Sequence, residues 1–247
     1  MYYAIADIHG RFDLLDKALT AISNDAIDNN ILNYTIITLG DYIDRGPQSK
    51  DVIDILMDHD SDHFICLQGN HEAMMVDTIT KPLDSRWWTN NGGYATIKSY
   101  NPDAMPWETS WVDQRHVKWC ASLPRYYETD KHVFVHAGIP SEDLSLEDQD
   151  ITDVYGQNEL QWMLYTKGEK GGYRGKHVVH GHHQFEDGPH EYELRTDLDC
   201  WAVHTGRLVV GVFSPHQGKA VRYLEVFGDD YGSKGRQDLG ERLLQSA

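Results

Sequence analysis

Nowhere in this sequence does an apolar run approach the ~20 residues needed to cross a bilayer. The first residues, Met1-Tyr2-Tyr3-Ala4-Ile5, lack the basic-then-apolar pattern of a secretory signal, so a cytoplasmic setting is expected. Cysteine is scarce. Cys66, Cys120 and Cys200 are an odd number without CxxC spacing, which argues against a disulfide framework and against a thiolate zinc site. The apolar flanks of Cys66 and Cys120 predict small buried hydrophobes instead. Basic side chains are outnumbered, 22 Lys and Arg against 39 Asp and Glu, for a net charge of −17. Such a surface repels nucleic acid and anionic membranes at long range, so neither is expected as a partner. It does not forbid phosphate, because metal ions can invert the sign inside a cleft.

What the chain does contain is histidine, fourteen in all, and a repeated strand-loop-helix rhythm. Tyr3–Ala6 runs into Asp7-Ile8-His9-Gly10, after which Leu14, Leu15, Ala18, Leu19 and Ile22 recur at helical spacing. Tyr34–Leu39 runs into Gly40-Asp41-Tyr42-Ile43-Asp44-Arg45-Gly46, with Val52, Ile53, Leu56 and Met57 beyond. His63–Leu67 runs into Gly69-Asn70-His71-Glu72, where a short helix is expected. Units about 30 residues apart read as βαβ crossovers, hence an α/β fold. Five of the seven tryptophans fall in 80–130, which reads as a mostly helical insertion. Strands resume at 131–135 and 176–179, and 207–213 with 220–226 reads as a closing hairpin. Segments 141–158 and 166–176 read as loops. The tail from about 228 is polar, with a weak helical pattern at Leu239–Leu244. One domain over 1–247 accommodates all of this.

The polar residues fall at strand ends. Asp7 and His9, Asp41, Asn70, His136 and His182 each follow an apolar β-run. In open α/β sheets the crevice at the carboxyl ends of strands is the binding site, so ligands distant in sequence converge there. Two acids and an arginine directly after a strand are costly unless something binds. Taken singly, Asp7-x-His9 could be structural and His136 a satisfied core histidine; taken together and in order they are hard to explain that way. Imidazole and carboxylate without thiolate suit Mn, Fe or Zn rather than calcium. Asp41, central in the order, is the natural bridge between two divalent ions, which at ~3.5–4 Å apart can share a hydroxide and clamp a phosphoryl group.

These motifs, with His136-Ala137-Gly138, Val178-Val179-His180-Gly181-His182, Asn91-Gly92-Gly93 and Leu198-Asp199-Cys200, closely resemble the phosphoprotein phosphatase branch of the metallophosphoesterases. The nearest likeness is to compact bacterial and bacteriophage serine/threonine phosphatases, and it extends to about Val226. The resemblance implies the αββα sandwich of calcineurin-like enzymes. It implies that Asp7, His9 and Asp41 hold one metal ion and that Asp41, Asn70, His136 and His182 hold the other; the mixed oxygen and imidazole ligands make Mn the expected metal for both, ahead of Fe or Zn. His71 would protonate the leaving oxygen, oriented by Asp44, and Arg45 would bind phosphate oxygens, which its planar fork suits. His182 is chosen over His180 because the family's ligand follows the glycine.

One departure stands out. Relatives of the phage type carry a second phosphate-binding arginine two residues after a tryptophan. Here Trp162 is followed by Met163 and Leu164, and Arg174 or Lys167 is the expected substitute. The expected substrate is a phosphorylated protein or peptide bearing phosphoserine, phosphothreonine or also phosphotyrosine. The alternatives are a dinucleoside polyphosphate hydrolase, whose group usually has alanine at the position of Asp44 and aspartate at that of Glu72, and a catalytically silent metal-binding module. The oligomeric state is not legible.

Overall fold

The chain alternates apolar faces strand by strand, and a computed structural model shows what those faces cover. It describes residues 1–229 apart from 60, 82–84, 107, 154–156 and 167. The Leu239–Leu244 pattern and Lys167 lie outside the described residues.

Two five-stranded sheets stack face to face. In the first, β1 (Tyr2–Ile5), β2 (Thr35–Thr38) and β3 (Phe64–Cys66) run parallel. The hairpin β9 (Arg207–Phe213) and β10 (Ala220–Phe227) completes it antiparallel to β1. In the second, β5 (His132–Val135), β6 (His177–His180) and β8 (Arg195–Asp197) run parallel. Short strands β4 (Tyr126–Glu128) and β7 (His190–Glu191) close its edges antiparallel. Side chains of period two divide between layers. Ala4, Ile37, Phe134, Val179 and Phe213 fill the space between the sheets. Tyr3, Ile5, Val210 and Val212 face outward onto helices α1 (Phe12–Asp28) and α2 (Ser49–His59) through Leu14, Leu15, Val52 and Ile53. Val133, Val135 and Val178 form a third cluster with Leu146, Leu160 and Tyr173.

The helical insertion is present. After α3 (Asn70–Thr80) come α4 (Arg86–Trp88), a wide π-type turn over Thr89–Gly93, α5 (Tyr94–Tyr100) and α6 (Gln114–Ser122). The insertion ends in the short strand β4. One expectation needs correcting: the segment read as a loop at 141–158 contains a one-turn helix, α7 (Leu146–Gln149), which Ser145 caps through the Asp148 N–H. Strands β4, β7 and β8 were not expected; two or three residues are too few to show a period, and pairing with longer neighbours holds them. Another short helix, α8 (Glu159–Trp162), precedes Leu164. All three cysteines are buried and free. Among the described residues no helix is long and apolar enough to cross a membrane.

Candidate metal centre

The carboxyl ends of β1, β2, β3, β5 and β6 meet at one place. Two groups of ligand-capable side chains form there, His9–Asp41–His71 and Asp41–His136–His182, with Asp41 common to both. The backbone at this point is unusual. Asp7, His9, Asp41, Asp44, Arg45 and His182 all have positive φ, a conformation non-glycine residues rarely adopt and one that clusters at functional sites. Gly40 has φ 96°, and a Cβ there would run into the Gly69 backbone, so the β2 and β3 loops can touch. A Cβ at Gly181 would collide with Asp7 Oδ2. That carboxylate oxygen instead accepts the His182 N–H at 3.0 Å, joining the two sheets.

Ring orientation is fixed from behind. His9 Nδ1 donates to the Ile43 carbonyl and His136 Nδ1 to the Leu39 carbonyl, each at 2.8 Å. Their Nε2 lone pairs are thereby turned into the cluster, as in metal-ligating histidines. Burial lowers the pKa of His9 and His136 and takes His182 down to about 3, so all three are neutral near pH 7, the form in which imidazole can take up a metal. Acceptors crowd one point: Asn70 Oδ1 lies 3.0 Å from His136 Nε2, and Asp41 Oδ1 lies 3.4 Å from the same nitrogen. Rotating the amide would let its nitrogen donate to Asp41 and His136, but the arrangement with oxygen inward is the one a cation requires. Asp7 Oδ1 is buried with no hydrogen-bond partner. Burial, then Asp199 and Asp41, pushes the Asp7 carboxyl well up, a cost that a bound cation reverses. The donor set therefore fits divalent metal. Asp7 itself falls outside both tight groups.

Beside the ligands sits a polar relay. His71 Nδ1 is 2.6 Å from Asp44 Oδ2. Burial opposes the charged imidazole, but Asp41 and Asp44 outweigh it and raise the His71 pKa. Arg45 is exposed, and its two Nη atoms lie 2.8 Å from His9 Nε2 and 3.1 Å from His71 Nε2. Asp44 is held by groups that sequence reasoning missed. Trp88 Nε1 donates to its Oδ2 at 2.8 Å and Thr96 Oγ1 to its Oδ1 at 2.6 Å, while its own N–H reaches Ser49 and Thr96. The tryptophan density of the insertion was the one available signal. The Gly92 carbonyl accepts the Arg45 N–H, and a Cβ at Gly92 would strike the Arg45 side chain. Glu72, noted only as a motif letter, is a second missed organiser. Its buried carboxylate accepts N–H bonds from Gly69, Asp41 and Tyr42 at 2.8–3.0 Å, although burial and then Asp41 lift its pKa to about 7.

His180 and His182 do not share a face, because β6 ends at His180 and His182 has φ 68°. His180 is buried against the Arg195 guanidinium instead, 3.0 Å away. Arg174 is not brought to the cluster. Its guanidinium donates to the Glu142 and Asp143 carbonyls and its side chain covers the Tyr173 ring. Leu164 is 67% exposed.

Two stacked mixed sheets with a nitrogen-and-carboxylate cluster at their strand ends define a metallophosphoesterase. The model of the calcineurin-like phosphoesterase family matches residues 2–217, and the chain belongs to that family. Serine/threonine-protein phosphatase 1 of Salmonella typhimurium is 27% identical over 139 residues, 56% of this chain and 59% of that protein. Serine/threonine-protein phosphatase 2 of Escherichia coli is 36% identical over 92 residues, 37% of this chain and 38% of that one. A zinc-dependent endopolyphosphatase of Saccharomyces cerevisiae is 33% identical over 86 residues, 35% of this chain and 25% of that one. These matches span a quarter to three-fifths of the relatives' lengths. Among solved structures, a putative diadenosine tetraphosphatase has a TM-score of 0.60 at 20% identity, covering 93% of this chain and 94% of that one. A cold-active protein tyrosine phosphatase has 0.54 at 16%, covering 94% and 80%. At such identities these two likenesses speak to the fold alone.

Proposed function

We propose that the protein is a phosphomonoesterase acting on phosphorylated proteins or peptides, with two divalent metal ions, Mn by preference. The observation that carries this reading is Asp41, shared by two ligand-capable groups directly beside the His71–Asp44–Arg45 relay. Asp7, His9 and Asp41 would hold one ion, and Asp41, Asn70, His136 and His182 the other. Bound there, the ions supply Lewis-acid charge for a phosphoryl group and an activated water. Arg45, exposed at the mouth, binds the non-bridging phosphate oxygens. His71 stays protonated through Asp44 and hands its Nε2 proton to the leaving oxygen. The bacterial protein phosphatases among the relatives support a phosphoprotein. So do Asp44 and Glu72, where dinucleotide hydrolases usually carry alanine and aspartate.

The test is phosphate release from phosphopeptides, diadenosine tetraphosphate and inorganic polyphosphate, with Mn²⁺ and after chelation. Chelator-sensitive release from phosphopeptides is expected to exceed the other two. Preference for either polyphosphate, or full activity in protein shown metal-free by elemental analysis, would overturn the reading.

A further inference from the structure

Two tryptophans at the mouth of the centre have no part in the chemistry above. Trp87 and Trp162 stack, with ring centroids 5.5 Å apart and planes 22° from parallel. Trp162 in turn stands edge-on to His182 at 6.3 Å. On the other side, the residue after Trp87 is Trp88, buried and bonded to Asp44, and the turn that follows carries the Gly92 carbonyl that holds Arg45. Trp87 is thus joined to the centre through Trp162 and His182, and its chain neighbour Trp88 is the residue bonded to Asp44. It is nevertheless 48% exposed, and Leu164 is more exposed still. Single exposed apolar side chains are ordinary. A half-exposed indole, stacked on the ring that meets His182, puts an apolar surface at the rim of the centre.

We infer that Trp87 is a stacking platform for the leaving group, so that the site favours phosphomonoesters with an aromatic ring on the scissile oxygen, phosphotyrosine above phosphoserine. The inference rests on the phosphomonoesterase reading. Offset or edge contacts at 4.5–7 Å between centroids are the favoured aromatic geometry, and Trp162 behind Trp87 holds the platform still. Water supplies the oxygen that bonds to phosphorus. The bond from phosphorus to the phenolic oxygen breaks with its electron pair on that oxygen, which takes up a proton. A phenolate needs that proton less than an alkoxide does, so binding the ring is where this site gains selectivity.

The experiment uses the metal-loaded full chain and two peptides identical except for phosphotyrosine or phosphoserine, with adenosine 5′-monophosphate as a third substrate. Wild type, Trp87→Ala and Trp87→Phe are compared by steady-state kinetics and by calorimetric titration. Trp87→Ala is expected to raise KM for the phosphotyrosine peptide about threefold to tenfold with kcat little changed, on the scale of an aromatic pair. KM for the phosphoserine peptide should move less than twofold, and Trp87→Phe should recover most of the loss. Equal effects on the two peptides would sink the platform, as would a loss confined to the nucleotide. A protein that binds the phosphotyrosine peptide through Trp87 but releases no phosphate would retain the platform and refute the phosphomonoesterase reading instead.

Discussion

His71 Nδ1 lies 2.6 Å from Asp44 Oδ2, and Asp44 is itself clamped by Trp88 and Thr96 from the helical insertion. The carboxylate cannot turn away, so the imidazole keeps its Nε2 directed at the Arg45 side of the centre.

His71→Asn should slow phosphoserine hydrolysis by ~10²–10⁴, the usual contribution of a general acid, and p-nitrophenyl phosphate hydrolysis far less, since nitrophenolate leaves without a proton. Metal content should stay near wild type. Asp44, hydrogen bonded to Nδ1, favours the acid form of His71, so phosphoserine activity should fall as pH rises through the titration of that imidazole. Asp44→Asn should cost less activity and move that alkaline limb to lower pH. If both substrates slow equally and the limb stays put, His71 is only packing the loop.

Asp41→Asn should be the most damaging single ligand change, because Asp41 belongs to both ligand-capable groups while His9 and His136 belong to one each. Elemental analysis by mass spectrometry should find metal reduced at both sites. Two ions per chain in the variant would show that Asp41 is not the bridge.

Leu164→Arg should lower KM for phosphopeptides. The side chain is mostly in solvent, so the substitution disturbs little packing, and thermal stability should stay within a few degrees. Arg174→Ala should leave KM unchanged, since that guanidinium is committed to the Glu142 and Asp143 carbonyls. A large rise in KM in Arg174→Ala would return the anion-binding role to it.

At the far end of the second sheet His132 and His177 are register partners, and burial lowers each to about 4, His132 further lowering His177. The unfolded chain titrates them near ~6.5, so between those values it binds more protons than the folded chain. Their contribution to stability is therefore complete above about pH 6.5 and is lost as pH falls toward 4. His132→Phe should shrink the difference in Tm between pH 7 and pH 4.5 relative to wild type. An undiminished difference would place the acid sensitivity elsewhere.

The order of motifs along the chain determined much by itself. Asp7, His9, Asp41, Asn70, His136 and His182 were legible because each follows an apolar run, and parallel strands deliver their ends to a common edge. The hairpin 207–213 with 220–226 was legible because its strands are long and rich in β-branched residues. The tertiary structure alone decided the rest. Tyr126–Glu128, His190–Glu191 and Arg195–Asp197 are too short to show a period, and their pairing energy comes from neighbours. The clamp of Trp88 and Thr96 on Asp44 joins residues 44 and 52 positions apart, a distance that no local pattern encodes. The choice of His182 over His180 came from resemblance in the sequence. In the structure its cause is a left-handed residue after β6, which turns one ring toward Asp41 and His136 and leaves the other against Arg195.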